Sequence, residues 1–67
     1  MHAADAMRLI EHNRWVIRPR IGGGWTIDTQ SGEEVARSES RYLVDAVELA
    51  MRNLDALRAQ ARRESEG

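Results

Sequence analysis

His2 and His12 are the only imidazoles in the chain, and there is no cysteine. Ten positions apart near one terminus, they cannot supply the three or four well-spaced ligands of a zinc site without borrowing carboxylates or a partner chain. His12 beside Glu11 reads as a solvated residue at a helix end. Ser31, Ser38 and Ser40 have no histidine near them in sequence to act as a base, so a nucleophilic serine has no activating group. Gly22-Gly23-Gly24 has the composition of a phosphate cradle, but no Gly-Lys-Ser/Thr follows, and the glycines lead into a strand pattern rather than a helix N-terminus. They read as a hairpin turn. The expectation is a non-enzymatic protein with no catalytic residue, cofactor or metal.

Arg14, Arg18 and Arg20 are the remaining chemically pointed group. No acidic residue lies between Glu11 and Asp28, so the segment carries a local charge of +3. Guanidinium groups on one strand face suit bidentate contact with phosphate or carboxylate, which would make a β-ribbon for nucleic-acid backbone or an acidic protein surface. The competing reading is a solvated face neutralised across the sheet by Asp28 and Glu34. It is the stronger one, because cross-strand opposite charges are common and no aromatic side chain shares that face to stack on bases.

The elements that must position these residues follow from period and punctuation. Residues 3–12, with Met7, Leu9 and Ile10 near one face and Asp5 in the opening turn, predict a short helix. Period two begins at Arg14: the segments 14–20 and 25–29 predict a β-hairpin around the glycines, and 33–38, centred on Val35, a third short strand, so that 14–38 form a small sheet. If parity runs unbroken, Trp15, Ile17, Trp25, Ile27 and Val35 face inward, while Arg14, Val16, Arg18, Arg20, Thr26, Asp28 and Ala36 face water. The tryptophans then serve as core volume in a chain without phenylalanine. Residues 40–63 predict one uninterrupted helix, with Ser38 or Ser40 as its cap and Arg58, Arg62 and Arg63 where the macrodipole favours cations. Residues 64–67 read as a frayed tail. The fold class is α+β, in one domain spanning 1–67.

Helix length is the informative quantity. Twenty-four residues at ~1.5 Å span about 36 Å, whereas strands of five to seven residues span about 17–23 Å, so the helix must outrun its sheet. Leu43, Val47, Ala50, Leu54, Leu57 and Ala61 recur at alternating spacings of four and three, the pattern of a helix-on-helix seam. The core is also thin: 42% of the 67 residues are hydrophobic, but nine of those are alanine, and no disulfide compensates. Self-association through Val47, Ala50, Met51, Leu54, Leu57 and Ala61 is therefore expected, giving an obligate or near-obligate homodimer.

Ten basic residues, all arginine, against eleven acidic give a net charge of −1, so no overall field draws the chain to a polyanion or an anionic membrane. No apolar run approaches the ~20 residues of a membrane span and no basic, apolar leader opens the chain. Read as a complete small frame starting at Met1, the sequence fits a cytoplasmic protein. Trp15-Val16-Ile17-Arg18-Pro19, then Gly23-Gly24-Trp25-Thr26-Ile27, a short strand and a helix near Asp45-Ala46 resemble the βββα units of HicB-type antitoxins and of small bacterial and phage proteins. The resemblance covers residues 14–52 and implies a truncated double-stranded-RNA-binding-like fold, a phage or mobile-element origin, and action by covering another protein. The long helix extends past it, and the separate DNA-binding segment of antitoxins has no counterpart in these residues. The functional expectation is a homodimeric protein-interaction module, with a nucleic-acid-binding regulator using Arg14, Arg18 and Arg20 as the alternative.

Overall fold

The computed structural model describes residues 1–66. Its elements are α1 (Ala3–Asn13), β1 (Val16–Pro19), β2 (Trp25–Asp28), β3 (Glu34–Ser38) and α2 (Leu43–Glu66). The strands form one antiparallel sheet in the order β1-β2-β3, giving the expected α+β class with an N-terminal helix, a three-stranded sheet and a long C-terminal helix. α2 packs on β2 and β3, and α1 packs on α2. The buried core consists of Ala6 and Ile10 from α1, Trp15, Ile27 and Ala36 from the sheet region, and Ala46, Val47 and Ala50 from α2. Among the described residues, no helix is long and apolar enough to cross a membrane.

Local chemistry sets each boundary. α1 ends in a Schellman turn: the Trp15 N–H donates to Ile10 O at 3.1 Å and the Arg14 N–H to Glu11 O at 3.2 Å, with Arg14 at φ 55°. Ile10 and Trp15, the residues that such a turn brings together, are both in the core. Arg14 is thus a left-handed helix cap, not the first residue of a strand.

α2 starts at Leu43 rather than residue 40. Ser38 Oγ accepts the Ser40 N–H, and Ser40 Oγ accepts the Tyr42 N–H while donating to Asp45. These side-chain bonds satisfy the backbone in a turn and delay the helix. At the other end, residues 64–66 continue the helix instead of fraying, with Ser65 Oγ donating to Ala61 O at 3.1 Å. Gly67 lies outside the described residues.

Inward parity holds in β1 and β2 but not in β3. Ile17 pairs with Ile27 and Ile27 with Ala36, whereas the next pairing is Asp28 with Glu34, so Val35 is an extra residue at a β-bulge. The bulge turns Ala36 into the core, where it is 3% exposed, and leaves Val35 only half-buried. Ala36 is therefore an inward residue, contrary to unbroken alternation. The bulge is tied down from above, because Asn53 of α2 donates its Nδ2 proton to Val35 O at 2.8 Å. The other end of the sheet is tied by Trp25 Nε1, which donates to Arg41 O at 2.9 Å just before α2.

Candidate interaction surfaces

These two anchors fix how far α2 extends beyond its support. Asn53 sits over the start of β3, and from Asp55 onward every described side chain of the helix is exposed. The remaining twelve residues run for about 18 Å with no sheet beneath them. The Cα radius of gyration, 12.8 Å, exceeds the ~11 Å of a compact 67-residue chain because of this overhang.

The seam splits where the support ends. Val47 and Ala50 are 0% exposed inside the chain's own core, so they are unavailable to a partner and drop out of the expected dimer interface. Met51 and Leu54 are half-buried at the transition, Leu57 is 59% exposed, and Ala61 is exposed. The surface open to self-association is thus Leu54, Leu57 and Ala61, with Met51 at its flank. Sequence spacing alone does not reveal which part of a continuous stripe the chain covers itself.

The arginines do not form one ribbon. Arg14 caps α1, Arg18 lies in β1, and Arg20 follows the strand in the turn. Arg18 pairs with Thr26, next to Asp28 on the same sheet face, and its guanidinium forms an ion pair with Asp28, Nη2 to Oδ2 at 2.6 Å. On β3, Arg37 makes a two-pronged contact with Glu34 at 2.8 and 3.0 Å. Of the two acids expected to neutralise the arginine face, Asp28 therefore meets Arg18, though it is buried rather than facing water as alternation predicts, while Glu34 is engaged on its own strand.

Asp28 is 5% exposed, and its Oδ1 has no hydrogen-bond partner. Removing Arg18 would leave both carboxylate oxygens unmatched. Arg18→Ala is therefore expected to destabilise the fold by ~1–3 kcal/mol in urea titrations despite the exposure of the arginine itself. Asp28→Asn combined with Arg18→Ala should recover part of the loss, whereas equal stability of Arg18→Ala and the parent would show the pair to be inert.

At the hairpin tip, Gly23 N–H donates to Arg20 O in a turn with Gly22 at φ 90°, and Ile21 projects fully into solvent. The Trp25 anchor brings Arg41 and Tyr42 to this same end, where Arg41 lies over the Tyr42 ring at 5.0 Å. His2 and His12 are both exposed and sit about 15 Å apart along α1. Ser31 is hydrogen-bonded to Thr29, and Ser38 and Ser40 build the turn before α2. Each of these three hydroxyls is thereby engaged in turn structure.

No protein-family model matches the chain, and neither a curated protein nor a solved structure gives a significant match.

Proposed function

We propose that this is a cytoplasmic, non-enzymatic interaction protein that self-associates through the exposed half of α2 and acts by binding another protein. One observation carries the reading: the apolar stripe that buries Val47 and Ala50 continues into solvent at Leu57 and Ala61. Leaving such a stripe wet forgoes about 1.5–3 kcal/mol for each leucine that a partner would cover. The mode of action follows the resemblance of residues 14–52 to HicB-type units, which cover a partner protein. The pairing of Arg18 with Asp28 supports this over the nucleic-acid alternative, since it engages one of the three guanidinium groups that a phosphate-binding ribbon would use.

The test is capture from a lysate of the native host, with nuclease treatment and a salt series, followed by gel retardation. A protein retained after nuclease and through high salt, with no shift of DNA or RNA at micromolar concentration, is expected. Retention that disappears with nuclease, together with a shift weakened by Arg20→Ala and by about one unit of salt slope per lost contact, would establish the phosphate-binding reading instead.

A further inference from the structure

We infer that two copies pair antiparallel, overhang against overhang, with each globular body seated beyond the tip of the other's helix. This rests on the self-association reading above. Val47, Ala50, Leu54, Leu57 and Ala61 share one helical stripe, so the open part of the stripe faces the side on which the body lies. Body and overhang make a step.

In a parallel pair, each body would occupy the face of α2 that points at the partner, at the same level as the partner's body, and the two would collide. An antiparallel pair separates them, and each overhang fills the step of the other. A second copy suits the step because its overhang has the required length by identity. The stripe is also self-complementary. A twofold axis near Ala59 sets Leu57 against the partner's Ala61 twice, large against small, and places Glu64, which ends the stripe, opposite Leu54 at either edge. Asn53 and Gln60 line one flank, which carries charge only at Glu64, one turn beyond Gln60.

The same geometry has an electrostatic consequence. Arg58 and Arg62 lie on the other flank, and antiparallel pairing brings that flank against its own copy, tempered by Asp55 three residues before Arg58 and by Glu66 four residues after Arg62. The contact is therefore weakened by like charge at its edge, and screening relieves it. Two overhangs of about twelve residues also bury less than the ~800 Å² per partner of a standard stable interface, so the dissociation constant belongs in the micromolar range. A salt-tightened, micromolar dimer is unlike an ordinary ion-paired contact, which salt loosens.

The test uses single cysteines introduced into this cysteine-free chain at Ala59 and at Arg52, both on the face away from the stripe, and spin-labelled for distance measurement. Antiparallel pairing predicts a distance at position 52 longer than at 59 by about 5–10 Å, because the former lies about seven residues from the axis. Sedimentation should show the dimer tightening about three- to tenfold from ~50 to ~500 mM salt, and Arg58→Gln should tighten it at low salt and flatten that dependence. Equal distances at the two positions, or a dimer loosened by salt, would overturn the antiparallel arrangement while leaving self-association standing. A monomer at every salt concentration would overturn both and leave the stripe to a different partner, for which the arginine flank selects an acidic helix.

Discussion

Alanine at position 24 is expected to leave the protein largely unfolded at room temperature, while alanine at position 23 is expected to leave it folded. Gly24 holds φ 92°, and a Cβ there would lie 2.9 Å from Glu39 Cα and would collide head-on with Ser38 O. Both obstacles are backbone, so no side-chain rotation relieves them, and either the hairpin or the segment leading into α2 must move. That movement would also break the Trp25 to Arg41 anchor. Gly23 has φ 113° but open space around it, so its substitution carries conformational strain alone, about 1–3 kcal/mol. A chain of this size has roughly 3–10 kcal/mol of total stability. The combined strain and clash at Gly24 should consume most of it. Thermal melts followed by circular dichroism decide the matter: a cooperative transition in Gly23→Ala and none in Gly24→Ala is expected, and matching transitions would mean that the close approach is unimportant.

Leu57→Asp should abolish self-association while sparing the protomer. Because Leu57 is 59% exposed in the isolated chain, its replacement removes little from the core. Across a twofold contact the same change removes two leucines and places two carboxylates in an apolar seam. At about 1.5–3 kcal/mol per leucine, the dissociation constant should rise at least a hundredfold. Leu54→Asp is a less clean experiment, since Leu54 is half-buried against the protomer's own core. The melting temperature of the parent should rise with protein concentration, and that of Leu57→Asp should not. A Leu57→Asp protein that loses its folded signal altogether would show the leucine to be a core residue.

Much of this architecture is legible in local sequence because the signals are local. The period-two runs around Gly22-Gly23-Gly24 and the unbroken helical run after Ser40 each specify one element. The mismatch between helix and strand lengths alone predicts an overhang. What escapes is information carried between elements. The bulge at Val35 has no glycine to announce it, and its partner Asn53 looks like an ordinary polar flank until α2 is laid over β3. Arg14 fits a strand pattern by alternation, yet the hydrogen bonds of Arg14 and Trp15 back into α1 give it a left-handed cap conformation. The seam from Leu43 to Ala61 reads as continuous, and only the placement of the sheet shows that Val47 and Ala50 belong to the protomer and Leu57 and Ala61 to whatever meets it. Likewise, the approach of Arg41 and Tyr42 to the hairpin end depends on a contact sixteen residues apart in sequence.

Self-association through the overhang is the central claim, and sedimentation equilibrium of the parent chain beside Leu57→Asp tests it most directly. With a chain mass of 7.6 kDa, the parent at about 100 µM and ~500 mM salt should give an average mass approaching twice that value and falling toward it on dilution. Leu57→Asp should remain at the single-chain mass throughout, with an unchanged far-ultraviolet spectrum. A parent that stays at the single-chain mass at these concentrations, or a Leu57→Asp variant that dimerises as well as the parent, would contradict the account.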